Sequence, residues 1–98
     1  MYHVIAMVTI ADDVLQPKIN GVKSGYAPHH KFSGVEYLVS GFHTYSDDAV
    51  HFPGETLKTR IAFPSWEFIS DQVKVGDRFE ILEMNRVVGH GTVESIAD

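Results

Sequence analysis

The sequence contains no cysteine, and this absence excludes disulfide bonds, thiolate metal sites and cysteine nucleophiles. Such a composition is typical of a reducing compartment, where structural disulfides are rare, so we expect a cytoplasmic protein. A run of basic residues is also missing. The 8 Lys and Arg residues stand against 13 Asp and Glu residues, which gives a formal net charge of −5. Binding to phosphate backbones requires clustered positive charge, so this balance disfavours tRNA or another RNA as a partner.

Long apolar runs are absent too. The first ten residues, MYHVIAMVTI, are apolar but too short to span a bilayer. They lack the basic start and the small-residue cleavage site of a signal peptide, so we expect no membrane partner. No long segment carries an apolar stripe at helical spacing. With 44% apolar residues, enough for a core, the chain is predicted to form a single domain over residues 1–98.

Short strands separated by turn signals account for most of the chain. The predicted strands are residues 4–10, 35–44, 49–52, 57–63, 79–82 and 86–96. Strand 4–10 is expected to be central, and strand 57–63 alternates most clearly between apolar and polar side chains. Irregular apolar positions around Ser40-Gly41 predict a bulge or bend, and Met84-Asn85 predicts a tight hairpin turn. Residues 65–75 are predicted to form a brief turn with aromatic anchors. This regular spacing favours an all-β barrel or sandwich.

Two glycines, Gly89 and Gly91, interrupt the last predicted strand, RVVGHGTVESI. Since they are two residues apart in a strand, they point to the same face. A strand glycine marks a bend or a close approach by another group, and a small barrel must bend its strands to close. We therefore predict a closing strand in a tightly curved barrel, with a neighbouring strand or an aromatic ring filling the slot. Contact with a ligand is the alternative interpretation.

Four motifs follow one another along the chain: Ser24-Gly25-Tyr26-Ala27-Pro28, Pro53-Gly54-Glu55, Arg78-Phe79-Glu80-Ile81, and Arg86 to Val93. In this order and spacing the chain resembles the C-terminal β-barrel domain, domain 3, of translation elongation factor Tu. The resemblance covers nearly the whole chain. It implies a six-stranded antiparallel Greek-key β-barrel, of the kind found as small stand-alone relatives of this domain in bacteria.

The resemblance implies contacts rather than catalysis. In the factor this barrel packs on the GTPase domain and touches aminoacyl-tRNA, whereas the phosphate-binding pattern G-x-x-x-x-G-K-[ST] does not occur here. The family's Arg in Gly-Tyr-Arg-Pro is replaced by Ala27, and its paired glycines before the last strand are replaced by Met84-Asn85. Together with the net charge, these departures favour a protein partner, with RNA as the alternative.

The six histidines raise the question of a metal site. His43, Asp47, Asp48 and His51 would converge only if their hairpin folded back on itself. No spacing such as H-E-x-x-H occurs, so we expect solvent-facing histidines, no metal and no other cofactor. A G-x-S-x-G elbow and a recognisable triad order are also missing, so we expect no enzyme activity. A metal or small-ligand site built on the histidines is kept as an alternative.

The residues predicted to bind a partner are Tyr26, His29, His30, Phe32, Trp66, Phe68 and His90. Aromatic side chains are enriched at protein interfaces, and His90, between its two glycines, is expected on the outer face. The alternative for the aromatic members is that they plug one end of the barrel. The predicted function is a non-catalytic binding module that mimics the factor's barrel or acts like an immunity or antitoxin protein.

Overall fold

The computed structural model of the protein describes residues 1–97, so residue 98 of the predicted domain lies outside it. The strands are β1 (Val4–Ile10), β2 (His29–Phe32), β3 (Val39–Ser40), β4 (Phe42–Thr44), β5 (Thr56–Ala62), β6 (Arg78–Glu83) and β7 (Arg86–Ile96), and the helix α1 is Trp66–Ile69. The prediction of an all-β protein is confirmed. Within residues 1–97 no helix is long and apolar enough to cross a membrane.

The strands form one antiparallel sheet in the order β3-β2-β6-β7-β1-β5-β4. Its two edge strands, β3 and β4, are separated only by Gly41, so the chain itself joins the two edges. Backbone hydrogen bonds continue across this junction. The His43 N–H donates to the Tyr26 carbonyl at 2.8 Å, and the Gly25 N–H donates to the His43 carbonyl at 2.8 Å. The sheet is therefore a nearly closed barrel, and we call the pairing of residues 25–30 with residues 39–44 the seam.

Gly41 explains why the strand count differs from the prediction of six. The unpredicted β2 offsets the loss of the predicted strand 49–52, and the structure has seven strands because Gly41 divides the predicted strand 35–44 into β3 and β4. A Cβ atom at Gly41 would lie 2.8 Å from Cε1 of His30 and 2.9 Å from Cγ2 of Ile61. Only glycine leaves room for these side chains, and the ladder breaks at the predicted position. Residues 35–38, the first part of the predicted strand, belong to no strand in the structure.

Two further strand assignments differ from the prediction. Of the predicted strand 49–52 only His51 pairs, in a single bridge with Val22. Strand β2 was not predicted, because its sequence, HHKF, lacks a clear apolar alternation. The predicted hairpin turn at Met84-Asn85 is confirmed, and Met84 has a positive φ of 56° there.

The core lies inside the barrel and follows from strand alternation. β1 lies between β5 and β7, which confirms the predicted central position, and every second residue from Val4 to Ile10 is buried. In β5, Thr59 and Ile61 point inward with Phe63 just beyond, as the alternation predicted. Full burial of an apolar side chain such as Ile61 or Phe63 stabilises the fold by roughly 1.5–3 kcal/mol.

Residues 63–77 cover one end of the barrel. Helix α1 is a single turn, and Ser65 before it makes no side-chain capping hydrogen bond. Ile69 and Val73 are buried in the main core, while Trp66 stacks on His3 with ring centroids 5.2 Å apart. The predicted turn with aromatic anchors is therefore confirmed, with one helical turn inside it.

Gly89 and Gly91 accommodate their neighbours, as predicted. Gly91 pairs with Phe79, and a Cβ atom at Gly91 would lie 2.9 Å from Cε1 of the Phe79 ring. At Gly89 the same atom would lie 2.6 Å from the Thr9 carbonyl oxygen. The prediction that β7 closes the barrel is wrong, because β7 lies between β6 and β1 and the sheet closes at the seam.

Two bulges add to the curvature of β7. The register shifts opposite Ile81 and Leu82, and again opposite Ile5 and Ala6, so one extra β7 residue is inserted at each place. A bulge bends the strand and increases its twist. Bulges as well as glycines therefore bend β7.

Replacing Gly91 by alanine should lower the free energy of unfolding by about 1–3 kcal/mol, because the added methyl group overlaps the Phe79 ring. Urea denaturation measures this change. In the F79L background the same G91A change should lower the free energy of unfolding by less than in wild type, because leucine leaves more room beside position 91. Equal destabilisation by G91A in both backgrounds would show that ring packing is not the reason for the glycine.

Candidate functional site

Two histidines lie inside the barrel rather than in solvent. His30 is on β2 and His43 is on β4, and strand alternation turns both side chains inward next to Phe32 and Val39. Their exposed fractions are 0% and 1%. The prediction of solvent-facing histidines is therefore wrong for both, while His29 and His90 are exposed on the outer face.

The two imidazole rings belong to one continuous hydrogen-bonded chain. His30 Nδ1 lies 3.1 Å from the Val39 carbonyl oxygen, and His30 Nε2 lies 2.7 Å from His43 Nε2. His43 Nδ1 lies 3.1 Å from the hydroxyl of Tyr45. We call this chain from Val39 to Tyr45 the histidine network.

Elementary donor and acceptor rules give the network a single direction. The Val39 carbonyl only accepts, so His30 carries its proton on Nδ1 and accepts at Nε2. His43 must then donate from Nε2, which leaves its Nδ1 to accept from the Tyr45 hydroxyl. With one proton on each ring, every ring nitrogen has a partner.

Burial keeps both rings neutral. It disfavours the imidazolium form and lowers the pKa of His30 to about 4. Burial is also the main reason that the pKa of His43 is well below its usual value, and the neighbouring His30 lowers it further. Burial also raises the pKa of Tyr45. At neutral pH the network therefore has no charge and acts as a polar part of the core.

A small cavity of about 10 Å³ adjoins the network on the side of the barrel opposite α1. Its walls are the aliphatic side chains of β1, β6 and β7 together with Tyr26, His43, Tyr45 and Lys18. This volume is about that of a single water probe, whereas sites for organic ligands measure about 300–1,000 Å³. The cavity therefore has room for one water molecule in this conformation.

A carboxylate with three donors is bonded to two residues of the cavity wall, Tyr26 and Lys18. Glu83 accepts from the Tyr26 hydroxyl, from Lys18 at 2.8 Å and from Arg86 at 3.1 Å. Burial raises the pKa of Glu83, but the hydrogen bonds from Lys18 and Tyr26 outweigh it and keep this pKa below its ordinary value. Burial and the bond to Glu83 raise the pKa of Tyr26. These contacts attach residues 11–21 to the barrel through Lys18.

A third polar group, formed by His51 and two acids, stabilises the loop after β4. His51 Nε2 lies 2.7 Å from Oδ1 of Asp47, and Nδ1 lies 2.9 Å from Oε1 of Glu55. Ionised carboxylates only accept hydrogen bonds, so both ring nitrogens must carry protons and the ring is an imidazolium. Hydrogen bonds to Glu55 and to Asp47 raise the pKa of His51, and those from His51 lower the pKa of both acids.

The alternative of a site formed by His43, Asp47, Asp48 and His51 is not supported by the geometry. His43 belongs to the interior network, and Asp47 and His51 pair with each other. Within residues 1–97 no three His, Cys, Asp or Glu side chains come together as a metal-binding group. The expectation that His51 faces solvent is also wrong, since its exposed fraction is 9%.

The residues predicted to bind a partner are divided between the core and several surfaces. His30 and Phe32 are buried, which agrees with the alternative that they plug the barrel, and Tyr26 and Trp66 are partly buried. The exposed members are His29 on β2, Phe68 in α1 and His90 on β7. His29 and His90 lie on strands that are separated by β6, and Phe68 lies in the helix at one end of the barrel.

Sequence reasoning missed Tyr45, Glu83 and the pairing of His51. A signal for Tyr45 exists, because residues 39, 41, 43 and 45 all lie on the inward side of one segment. The four-residue spacings from Asp47 to His51 and from His51 to Glu55 are visible as well. No local pattern connects Glu83 to Lys18, because these residues are far apart in the chain.

Comparison with known proteins adds no relative to this description. No protein-family model matches the sequence. No curated protein matches it either.

Replacing Tyr45 by phenylalanine should lower the free energy of unfolding by about 1–3 kcal/mol, because His43 Nδ1 would be left as a buried acceptor without a donor. The matched control is Y37F, since Tyr37 is exposed. It should change stability by less than about 0.5 kcal/mol. Equal effects of Y45F and Y37F in urea denaturation would contradict the proposed direction of the network.

The His51 group should stabilise the fold more at low pH than at high pH. The pKa of His51 is raised in the folded state, so its contribution is fully present below its unfolded value of about 6.5 and is lost as the pH rises through the folded pKa. We expect the stability difference between wild type and H51Q to be larger at about pH 6 than at about pH 8.5. The control H90Q should show the same small difference at both, and a pH-independent effect of H51Q would contradict the imidazolium assignment.

Proposed function

We propose that this protein is a non-catalytic β-barrel that works by binding a partner protein. The observation that carries the proposal is a group of exposed apolar side chains at the end of the barrel covered by residues 63–77. Phe68 and Val75 in that segment are 67% and 63% exposed, and Tyr37 and Leu38 are exposed in the adjoining residues 33–38. We call this group the apolar end.

Contacts between the two segments support treating the apolar end as one surface. Val35, Ile69 and Val73 are buried in the same core cluster beneath it. A Cβ atom at Gly34 would lie 3.0 Å from the Gln72 carbonyl oxygen, so the two backbones touch. Exposed apolar side chains gathered on a well-packed base are typical of interaction sites.

Charge favours protein over RNA as the occupant of this surface. The exposed acids Glu36, Glu67 and Asp71 lie in the two segments, while Lys74 is the basic residue among residues 63–77. Phosphate groups would be repelled here, whereas a protein can cover apolar side chains and offer cations to the acids.

The barrel interior supports the non-catalytic part of the proposal. In residues 1–97 every buried side-chain nitrogen or oxygen already has a hydrogen-bond partner within the protein.

For the fold we propose a Greek-key barrel like the C-terminal domain of elongation factor Tu. Supporting this, the sheet is antiparallel throughout, and its neighbours β7-β1 and β1-β5 are distant in sequence. The motifs Pro53-Gly54-Glu55 and Arg78-Phe79-Glu80-Ile81 come at the start of β5 and of β6. In the factor this barrel contacts another protein domain, and a contact role is what we propose to be shared.

Replacing Phe68 by serine should abolish partner binding without unfolding the barrel, because this side chain is mostly outside the core. The experiment immobilises the full chain, captures proteins from an extract of its own organism, and compares the bound species by mass spectrometry. We expect a protein retained by wild type to be reduced at least about tenfold with F68S, the range of hot-spot truncations.

The matched control is M84S, which removes an apolar side chain that is more exposed than Phe68 (85% against 67%) at the opposite end of the barrel. It should retain the partner that F68S loses. Retention of the same proteins by all three chains, or nuclease-sensitive retention of RNA by wild type, would overturn the proposal.

A further inference from the structure

The histidine network lies at the seam, the place where the barrel closes. His30 belongs to the segment 25–30 on one side of the seam, and His43 belongs to β4 on the other. The hydrogen bond of 2.7 Å between their Nε2 atoms therefore connects the two sides from within. Gly41, at the break between β3 and β4, is the position that admits the His30 ring.

An additional proton can enter the closed network only if its hydrogen bonds change direction. His30 Nε2 is occupied as the acceptor of the His43 N–H, and His43 Nδ1 is occupied as the acceptor of the Tyr45 hydroxyl. A proton on His43 Nδ1 would turn the Tyr45 hydroxyl from a donor into an acceptor, and a proton on His30 Nε2 would also require His43 to carry its single proton on Nδ1. The closed barrel would then hold an imidazolium at a position that is 0% or 1% exposed.

The surroundings offer no counter-charge for an imidazolium. His30 packs against Phe63 of the segment after β5 and Phe79 of β6, and its titratable neighbours are His43 and the adjacent His29. His43 packs against Tyr26 and Tyr45.

The nearest charged groups lie beyond these two tyrosines. Beyond Tyr26 lie Glu83 and its cations Lys18 and Arg86. Beyond Tyr45 lies the His51 imidazolium with its two acids. Within residues 1–97 no carboxylate hydrogen-bonds to His30 or His43.

We propose that His30 and His43 form an acid-sensitive latch, at which the barrel opens along the seam when either ring takes up a proton. The opening separates β4 from residues 25–28, so that the protonated rings reach water. It leaves the pairs β1 with β5, β1 with β7 and β6 with β7 in place, because these contain no ring of the network.

The latch has a defined sign and steepness. An unfolded or solvent-exposed histidine has a pKa of about 6.5, and the buried rings take up protons only at lower pH. Each proton bound only in the open form increases the population of that form about tenfold per pH unit below 6.5. A seam that takes up two protons opens up to about a hundredfold more per pH unit.

Hydrogen exchange of the backbone amides, measured by NMR on the full chain, tests the latch. The reporters are the seam amides of Gly25 and His43, and the reference amides lie in the ladder between β1 and β7. After correction for intrinsic exchange, lowering the pH from about 6.5 to about 5 should reduce protection of the seam amides by about 16-fold for one proton and about 270-fold for two, with a far smaller change in the reference amides. Equal loss of protection in both sets would overturn the proposal, because acid would then unfold the barrel as a whole.

The double variant H30Q/H43Q removes the proton acceptors but keeps polar side chains at both positions. Its seam protection should not depend on pH over the same range, whereas the control H29Q/H90Q, which changes two exposed histidines, should behave like wild type. Wild-type pH dependence in H30Q/H43Q would overturn the latch.

A measurement on wild type keeps the test independent of how well the double variant folds. At neutral pH the ring nitrogens of His30 and His43 should show the neutral forms with the proton on Nδ1 and on Nε2, respectively. On further acidification the ring signals should show protonation only at the pH at which the open form becomes the major form and the seam amides have lost their protection. Protonation of both rings with the seam amides still protected would contradict the proposal.

Discussion

The hydrogen bond between His30 and His43 is the interaction on which the closed form of this barrel depends. It joins the two segments that complete the sheet, and its partners at either end, the Val39 carbonyl and the Tyr45 hydroxyl, determine which nitrogen of each ring carries the proton. A buried polar chain of this kind stabilises only one arrangement, since any ring flip leaves a donor facing a donor or an acceptor without a partner. The network therefore contributes geometric specificity to a core whose remaining members are mostly apolar.

Glycine positions and aromatic rings complement each other around this network. Gly41 admits the His30 ring, and Gly91 lies under the ring of Phe79, which itself packs on His30. A barrel this small has little interior space, so an inward aromatic ring requires a missing side chain on the strand beside it. The same constraint explains both the break between β3 and β4 and the glycines of β7.

The charged groups divide between the loops and the barrel ends. His51 with its two carboxylates braces the loop after β4, and Glu83 with Lys18 and Arg86 attaches the long first loop to the barrel. The apolar end carries none of these ion pairs. The end with the ion pairs also exposes Leu15, Ile19 and Met84, but these side chains lie in the loop and the turn that the ion pairs hold. At the apolar end Phe68 and Val75 belong to a segment whose Ile69 and Val73 are buried in the main core, which is why we assign partner binding to that end.

The positions of β1, β5, β6 and β7, the central place of β1, the inward face of β5 and the break near Gly41 were determined by the sequence itself, because alternation and glycine placement act locally. Tertiary structure alone decided that His30 meets His43 and that Glu83 collects three donors. The physical reason is that a hydrogen bond depends on which strands become neighbours, and strand order brings together residues whose separation in the chain carries no signal. For the same reason the sequence predicted solvent-facing histidines: burial is a property of the closed barrel, and only closure shows which side of each strand is the interior.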